Sequence, residues 1–427
     1  LHDAKEYGSI LNITPVDFAG LYARFDEILN DINMMQRSAL EELLPLVKCA
    51  EVLAQKYDVV VTNPPYMGSS GMNTLLADYV KAKYPDSKSD LFACFIERGN
   101  HMVKKHRFNC MVTMQSWMFL SSFEKMREKV LQTKSITNLM HMENMVMGIA
   151  FGTAVTVFRN DYVAGYKGTY NQIKLQDIEN DEPRIFPVLE NRFAQTSTDN
   201  FSKIPGSPVA YWVSDRIFTL YSDLKKMSDF GDLKHGMTTG DNNTCLKMWY
   251  EIDRTLLIVS AQKYEEFLTS GCRYVPYNKG GSFKKWYGNL DYVLGYDKSY
   301  NEYMDSLGGH RHDNQPYYFK KAITWSLTNS SYFGARMRPS GSIFDVNGMS
   351  LFVHDDRQYF YLLGLMCSKI SSEFMRINNP TLASQVGDVS RIPVNFESQC
   401  IENVNANVEP SIFTTKLDWD SYETSWD

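Results

Sequence analysis

The chain has 427 residues, of which 44% are hydrophobic and 22% charged, and its formal net charge is −6. These values are typical of a folded protein of roughly two to three domains, and no apolar run in the sequence approaches the roughly 20 residues of a membrane span. The seven cysteines are scattered singly, which excludes a zinc ribbon or disulfide frame and predicts reduced thiols in the cytoplasm. The first residue is Leu1, so we expect a piece of a longer protein.

The negative charge is concentrated near the end of the chain. Residues 396–427 contain seven Asp and Glu against one Lys, and the other 395 residues balance at zero. A neutral body can still carry a local basic cleft, so composition neither supports nor excludes nucleic acid as a partner. The acidic stretch 396–427 is predicted to be a solvated connector.

The first 56 residues predict a strand followed by two helices. Glu6–Leu11 has the pattern of a strand. Apolar residues recur at helical spacing over Asp17–Leu29 and again over Ser38–Gln55, where Pro45 predicts a break or kink. We expect these helices to be packing elements.

A short apolar run then ends at two consecutive prolines. Tyr57–Thr62 is rich in valine and predicts a parallel strand buried on both faces. Asn63, Pro64, Pro65 and Tyr66 follow directly. Neither proline has an N–H to donate, so the strand stops there. Asn63 and Tyr66 should therefore lie at the carboxyl end of the strand, where open α/β sheets bind ligands.

The tetrapeptide suits recognition of a planar amino group. The Asn63 side chain and the Pro64 backbone each offer a carbonyl oxygen, and two such acceptors would take both hydrogens of one NH₂. Tyr66 offers a flat face for a base, worth about 1–3 kcal/mol per stacked base. This chemistry favours a catalytic site over a simple turn.

The next hundred residues alternate between strand and helix patterns. A glycine- and serine-rich loop, 67–73, precedes a helix capped by Ser89 that ends near Val103. Strand patterns follow at 108–114, 136–142 and 153–159, and Ser121 with Glu124 predicts a capping box for the helix between the first two. This alternation predicts a doubly wound α/β domain.

Four segments resemble one family of enzymes. They are residues 57–68, 87–92, 115–120 and 418–427. Together they are similar to the PglX-type adenine-specific DNA methyltransferases of BREX phage-defence systems and to related type IIG restriction–modification enzymes. The resemblance implies a fold with a partial Rossmann-like methyltransferase domain, followed by a mixed α/β target-recognition domain.

The resemblance also implies a reaction and its cofactor. Such enzymes move a methyl group from S-adenosylmethionine to the amino group of an adenine swung out of double-stranded DNA, with Asn63, Pro64, Pro65 and Tyr66 as the catalytic motif. Phe151 would stack on the other face of the base, and Asp3 is a candidate cofactor residue. The family's glycine-containing cofactor loop has no counterpart here, because the chain has no Gly-x-Gly. We therefore expect weak or no cofactor binding, and no methyl transfer, from this chain alone.

The remaining sequence predicts three further regions. The methyltransferase part is expected to cover 1–165, a linker 166–225, the target-recognition domain 226–395 and the acidic connector 396–427. Within the recognition domain, basic residues interleave with aromatic ones, a pattern that suits a polyanion. The predicted DNA contacts are Thr239, Asp241, Asn242, Lys279, Lys284, Lys285, Lys320, Arg336 and Arg338.

Two other observations bear on function. His310 and His312 are two residues apart, which suggests a ligand pair, but paired histidines in a polar loop usually bind nothing, so no metal site is predicted. The partners would be double-stranded DNA and other defence-system proteins. Two alternatives remain open: a methyltransferase acting on a protein glutamine or on RNA, and a DNA-binding module without catalysis.

Overall fold

The computed structural model describes residues 3–30, 34–189, 192–328, 332–380 and 383–422. The chain divides into two compact units, residues 1–218 and 219–427. Helix α7 (Asp215–Asp223) contains the division. Within the described ranges, no helix combines the length and apolar character needed to span a bilayer.

The first unit is built around a mixed sheet. Its helices are α1 (Ala4–Tyr7), α2 (Phe18–Asn30), α3 (Met34–Ala54), α4 (Thr74–Lys83), α5 (Leu91–Met102) and α6 (Glu124–Thr133). Its strands are β1 (Tyr57–Thr62), β2 (Val103–Met114), β3 (Ser135–Met142), β4 (Thr153–Arg159), β5 (Lys167–Ile173), β6 (Ile178–Glu179), β7 (Glu182–Pro183) and β8 (Phe193–Ser197). The predicted α/β class is confirmed.

Six of these strands form the sheet, in the order β1-β2-β4-β3-β5-β8. β1 pairs with β2 in parallel, as predicted, and β4 is antiparallel to both β2 and β3. β1 lies at the edge, and Val59 and Val61 are 56% and 70% exposed. The expectation that both faces of β1 are buried is therefore wrong for this chain, because the described residues cover only one side of the strand.

The start of the chain and the predicted linker also differ from expectation. Glu6–Leu11 is helical rather than extended: α1 is followed by a 3₁₀ turn, Gly8–Ile10. β5 and β8 lie within 166–225, the predicted linker, and Tyr170 of β5 is fully buried and stacks on Tyr211. Much of that stretch therefore belongs to the first unit. Its strands are short and polar, with little apolar alternation to reveal them.

Two smaller sheets form the core of the second unit. Its strands are β9 (Lys225–Lys226), β10 (Gly231–Lys234), β11 (Leu246–Met248), β12 (Tyr274–Asn278), β13 (Tyr292–Gly295), β14 (Ala322–Trp325), β15 (Ala335–Arg338), β16 (Ile343–Phe344), β17 (Ser350–Val353) and β18 (Pro393–Val394). The sheet orders are β10-β17-β14-β15 and β11-β13-β12-β16. Val275, Leu294, Phe344 and Phe352 from these strands share one hydrophobic cluster.

The helices of the second unit surround these sheets. They are α8 (Asn242–Cys245), α9 (Tyr264–Ser270), α10 (Lys298–Asp305), α11 (Tyr359–Cys367), α12 (Lys369–Asn378), α13 (Val386–Ser390) and α14 (Ile401–Asp420). α14 occupies most of the predicted acidic connector. It buries Val408, Ile412 and Trp419, so its acidic residues are the outer face of a packed helix.

Candidate functional site

The four motif residues lie together at the carboxyl end of β1. Asn63 and Pro65 are exposed, Pro64 is buried and Tyr66 is half-buried. The prolines end the pairing of β1 with β2 after Thr62, which lies opposite Met111. The motif therefore leaves the sheet as an irregular segment with the Asn63 amide open to solvent.

Tyr66 connects this segment to the sheet and to two aromatic rings. Its hydroxyl lies 3.1 Å from Asn63 Oδ1 and 3.2 Å from the carbonyl oxygen of Val112. The Phe151 ring centroid lies 5.7 Å from that of Tyr66 at 71°, and that of Phe92 lies at 6.1 Å and 87°. Burial raises the pKa of the Tyr66 phenol, so at neutral pH this hydroxyl is a hydrogen-bond donor.

The antiparallel pairing of β4 with β2 brings Phe151 to this edge. Thr153, the first residue of β4, lies opposite Met114, the last of β2. Just beyond, the Gln115 N–H donates to the Gly152 carbonyl at 3.0 Å. A Cβ at Gly152 would lie 2.5 Å from the end of the Gln115 side chain, so a larger residue at this position would require that side chain to shift. Phe151 and Tyr66, both named from the sequence, are therefore in contact.

The loop after Tyr66 is anchored by Asp90, which sequence reasoning missed as a site residue. Asp90 Oδ1 accepts from the N–H groups of Met67 at 3.0 Å and Phe92 at 3.3 Å. The Leu91 N–H donates to the Met67 carbonyl at 3.0 Å. Burial raises the pKa of Asp90, and the N–H groups partly oppose that shift. Asp90 lies in the segment 87–92, one of the four that resemble the family, so the resemblance could have indicated this residue.

A chain of polar side chains, buried at His141 and Tyr211, also supports the loop that carries Phe151. Gln115 Oε1 accepts from His141 Nε2, and Gln115 Nε2 lies 3.4 Å from Asn144 Oδ1. Because Nε2 of His141 donates, its Nδ1 accepts from the Tyr211 hydroxyl, 3.1 Å away. Burial lowers the pKa of His141 to about 4, so this imidazole is neutral at physiological pH. The chain orients Gln115, which in turn holds the Gly152 backbone.

Asp3 precedes α1 rather than a strand. Its neighbours in this turn pack on α4 or the loop before it: Tyr7 stacks on Tyr79 with ring centroids 4.2 Å apart, and Asn73 donates to Glu6 at 2.6 Å. The strand that was expected to present Asp3 is absent from the described residues. A cofactor role for Asp3 stays a prediction.

In the second unit, three predicted DNA contacts form one hydrogen-bonded cluster. Thr239, only 3% exposed, donates to Asn242 Oδ1 at 2.8 Å. Lys279 Nζ lies 3.2 Å from the same oxygen and 2.7 Å from the buried carboxylate of Asp345. Lys279 is thus held by an internal ion pair, with 24% of its side chain exposed.

Asp241 is also occupied by protein contacts. It caps α8 by accepting from the N–H groups of Asn243 and Thr244, and it accepts from the Tyr303 hydroxyl at 2.9 Å. Hydrogen bonds from Thr244 and Tyr303 lower the pKa of its carboxyl. These contacts order the segment 238–242, and Asn242 is its exposed amide.

The remaining predicted cations differ in exposure. Lys320 is exposed and lies 5.2 Å from the Tyr317 ring centroid. Lys284 and Lys285 are half-buried, and Lys285 Nζ donates to the Cys367 carbonyl at 2.6 Å. Among the predicted lysine and arginine contacts, which are all described, Lys320 is therefore the one with an exposed side chain.

Arg336 and Arg338 are inside the unit, 1% and 0% exposed. Arg338 donates to the carbonyl oxygens of Lys320 at 2.7 Å and Ser342 at 3.1 Å, and its guanidinium lies over the Phe344 ring. Burial lowers the pKa of Arg338 to about 9. The structure therefore corrects the sequence interpretation: alternation along β15 turns both arginines inward, where they cannot reach phosphate.

The chain is similar in sequence to known proteins. The model of the Eco57I restriction-modification methylase family matches residues 19–146. The chain is 35% identical over 407 residues to the adenine-specific methyltransferase PglX of Lacticaseibacillus casei (strain Zhang), covering 90% of this chain and 33% of that protein. It is 32% identical over 435 residues to the adenine-specific methyltransferase BrxX of Escherichia coli O9:H4 (strain HS), covering 99% and 35%.

The chain thus spans about a third of the length of these curated relatives. Among solved structures, the Type IIL restriction-modification enzyme MmeI, determined in complex with DNA, matches 87% of this chain and 51% of its own with a TM-score of 0.53. At 10% identity, this likeness shows the fold alone. Residues 19–146 therefore match the Eco57I restriction-modification methylase family, and the chain is similar over nearly its whole length to part of the PglX and BrxX adenine-specific methyltransferases.

Proposed function

We propose that this chain is the target-base part of a site-specific DNA adenine methyltransferase that acts in phage defence or restriction–modification. The observation that carries the proposal is the contact between Asn63 and Tyr66 at the end of β1, beside the Phe151 ring. A carbonyl oxygen and two aromatic rings at an open sheet edge suit a base extruded from a duplex. The relatives named above are adenine-specific enzymes.

Asn63 would hold the amino group of the adenine. A carbonyl oxygen has two lone pairs, so Asn63 Oδ1 can accept from the Tyr66 hydroxyl and from the base together. The hydroxyl bond fixes the direction of the amide before the base arrives. The Pro64 carbonyl would take the second amino hydrogen, which leaves the nitrogen lone pair free to react. Catalysis would then consist largely of positioning.

Tyr66 and Phe151 would flank the ring of the base. In the structure their rings already touch edge to face, 5.7 Å apart. A base can therefore stack on one ring as they stand, and it can enter between them only if Phe151 moves. Met145 and Met147, in the loop before Phe151, are each 49% exposed, so a movement of that part of the loop would disturb few buried side chains, while Gln115 holds the Gly152 end.

S-adenosylmethionine would supply the methyl group when bound. The described residues form no cradle for it: the sequence has no Gly-x-Gly, and β1 is an edge strand with Val59 and Val61 exposed. The chain's own residues account for holding the base and not for holding the cofactor. Calorimetry with S-adenosylmethionine should therefore show weak or no binding to this chain, and tight binding would contradict that assignment.

Double-stranded DNA is the proposed macromolecular partner. In the second unit, Lys320 and Lys284 would contact phosphates, while Asn242 and its neighbours would lie nearest to base edges. Phosphate contacts position a duplex without reading sequence, and polar side chains in a groove provide specificity. Other defence-system proteins are proposed partners of the full-length enzyme.

The test is a methyl-transfer assay on the full-length protein with radiolabelled S-adenosylmethionine. Duplex DNA, RNA and a protein extract are offered separately. Asn63→Ala should abolish transfer to DNA and leave DNA affinity unchanged. The matched control is Asn138→Ala, an exposed asparagine on β3 of the same sheet, which should keep full activity.

Each other outcome favours a named alternative. Methyl transfer to RNA or protein in preference to DNA would show that the substrate is not DNA. DNA binding by the full-length protein without any methyl transfer would indicate a binding module without catalysis. Activity retained in Asn63→Ala would remove Asn63 from the reaction.

A further inference from the structure

Three potential metal ligands converge at the end of α10 in the second unit. Asp305 is the last residue of α10, and His310 and His312 follow in the next loop. Nε2 of His310 and Nε2 of His312 each lie 3.5 Å from Asp305 Oδ1. The imidazole rings are nearly perpendicular, at 83°, with centroids 4.3 Å apart. The spacing of the two histidines is visible in the sequence, but the carboxylate between them is not.

His310 turns one ring nitrogen toward this carboxylate. Its side chain is only 4% exposed. Nδ1 lies 2.6 Å from the Thr238 carbonyl oxygen, which can only accept, so Nδ1 donates to it. The other ring nitrogen, Nε2, faces Asp305 and has no hydrogen-bond partner among the described residues. A buried nitrogen without a partner is costly in a folded protein.

In protein metal sites, a backbone carbonyl commonly accepts a hydrogen bond from the histidine ring nitrogen that does not bind the metal. The hydrogen bond fixes the tautomer and the ring orientation, and it raises the basicity of the coordinating nitrogen. Thr238 supplies this bond to His310. His312 places its Nε2 at the same distance, 3.5 Å, from Asp305 Oδ1.

The distances suit a shared ion better than direct hydrogen bonds. Charge-assisted N–H···O bonds are about 2.7–2.9 Å long, shorter than the 3.5 Å found between Asp305 and each histidine. In a tetrahedral zinc site with bonds of about 2.0–2.2 Å, neighbouring ligand atoms are about 3.3–3.5 Å apart. The two distances of 3.5 Å from Asp305 Oδ1 to Nε2 of His310 and of His312 match this spacing of ligand atoms.

We propose that Asp305, His310 and His312 bind one divalent transition-metal ion, with zinc as the type of ion that fits. Two imidazoles and one carboxylate form a donor set suited to zinc and related metals rather than to Mg²⁺ or Ca²⁺, which prefer oxygen ligands alone. Three protein ligands leave a position for water.

The ion would stabilise the segment 238–242 that contains Asp241 and Asn242. Thr238 exchanges two backbone hydrogen bonds with Arg311, each 3.1 Å long, and accepts from His310. Tyr303, on α10 itself, donates to Asp241. An ion that joins Asp305, at the end of α10, to His310 and His312 would therefore hold this segment at both Thr238 and Asp241. The role is structural, and it does not depend on the proposed methyl transfer.

The experiment is isothermal titration of the metal-free 427-residue chain with ZnCl₂, followed by Co²⁺ absorption spectroscopy. We expect one Zn²⁺ per chain, and d–d absorption bands with Co²⁺ typical of a four- or five-coordinate nitrogen and oxygen site. Asp305→Ala and His312→Ala should each weaken zinc binding at least tenfold and remove the Co²⁺ bands.

The matched control is His354→Ala. His354 Nε2 lies 3.6 Å from Asp232 in the same unit, and no third ligand of this kind joins that pair among the described residues. Its loss should leave zinc affinity unchanged. Because the Asp305 side chain is 62% exposed, Asp305→Ala should fold normally, which circular dichroism can verify even if a histidine variant unfolds.

Two results would overturn the proposal. One is the absence of stoichiometric zinc binding to the unaltered chain. The other is zinc binding that Asp305→Ala and His312→Ala leave intact, or that His354→Ala weakens as much as they do, since the ion would then be held elsewhere.

Discussion

The Tyr66 hydroxyl lies 3.1 Å from Asn63 Oδ1, so one residue of the motif orients another. The same hydroxyl lies 3.2 Å from the Val112 carbonyl on β2, which ties the motif to the neighbouring strand. Tyr66 therefore has two separable features: a ring that can meet a base and a hydroxyl that directs the Asn63 amide.

Separate substitutions of Tyr66 should distinguish these features. Tyr66→Phe keeps the ring and loses the hydroxyl bond, worth about 1 kcal/mol, so kcat/KM of the full-length enzyme should fall by roughly fivefold. Tyr66→Ala also loses the stacking face, worth about 1–3 kcal/mol more, so its kcat/KM should fall by a further factor of roughly 5 to 150. Steady-state methylation of duplex DNA measures both.

Tyr162→Phe is the matched control. The Tyr162 hydroxyl donates to Asp199 at 2.6 Å in the same unit, outside the candidate site. Its activity should equal that of the unaltered enzyme. Equal loss in Tyr66→Phe and Tyr66→Ala would contradict a separate contribution of the ring.

His141 should make the first unit less stable in acid. Its pKa is lowered to about 4 in the folded chain, against about 6.5 for an unfolded histidine. Between these values the unfolded state binds more protons, so the free energy of unfolding falls as pH decreases from 6.5 toward 4. At pH 5 the loss relative to pH 7 should be about 2 kcal/mol. Urea unfolding at the two pH values measures it.

His141→Gln removes this titration and supplies the comparison. Its unfolding free energy should be lower than that of the unaltered chain at pH 7, because the bonds to Gln115 and Tyr211 change. Between pH 7 and pH 5, its free energy of unfolding should fall by about 2 kcal/mol less than that of the unaltered chain. The same pH dependence in both proteins would mean that other groups cause the acid sensitivity.

Substitution of Lys320 should lower DNA affinity without changing stability, whereas substitution of Arg338 should lower stability. Lys320→Gln removes an exposed cation, so DNA affinity should fall, and the slope of log affinity against log salt should decrease by about 0.9 if one phosphate contact is lost. Its melting temperature should not change. Arg338→Ala removes a fully buried guanidinium that donates to two carbonyls, and should destabilise the second unit by about 3 kcal/mol.

Salt-titrated fluorescence anisotropy and urea unfolding, applied to both variants, test this contrast. A melting temperature lowered in Lys320→Gln would show that the lysine is structural. A lower salt slope in folded Arg338→Ala would show that the arginine does reach DNA.

The sheet of the first unit was predictable where apolar runs are long and bounded by turn residues. Tyr57–Thr62 and Thr153–Arg159 have the predicted bounds, and the strand predicted over 136–142 begins one residue earlier, at Ser135. The exposure of β1 was not predictable, because an apolar strand has the same sequence whether or not both of its faces are covered.

Short polar segments account for most of the errors. β5 contains Gly168 and Asn171, residue types depleted in strands, so its pairing with β3 depends on tertiary contacts rather than on local pattern. The Ser121–Glu124 capping box does not form: Ser121–Phe123 is a 3₁₀ turn, and Phe123 precedes α6 without a side-chain cap. Pro45 lies inside α3 without ending it.

The candidate sites differ in the same way, because some of their contacts join neighbours in the sequence and others join residues far apart in it. Asn63 to Tyr66 are consecutive, so their chemistry could be inferred from the sequence. Asp90 and Gln115 act on residues that are 23 and 37 positions away, respectively, at Met67 and Gly152. Only the folded chain reveals such pairs, and the same holds for Asp305 with the two histidines.

The most direct measurement of the central claim is the genomic position of methylated adenine in cells that contain the full-length protein. Single-molecule sequencing should find N6-methyladenine at one short sequence in cells with the unaltered protein, and none there in cells with Asn63→Ala at equal protein levels. Methylation that persists in Asn63→Ala, or that falls on a base other than adenine, would contradict the account.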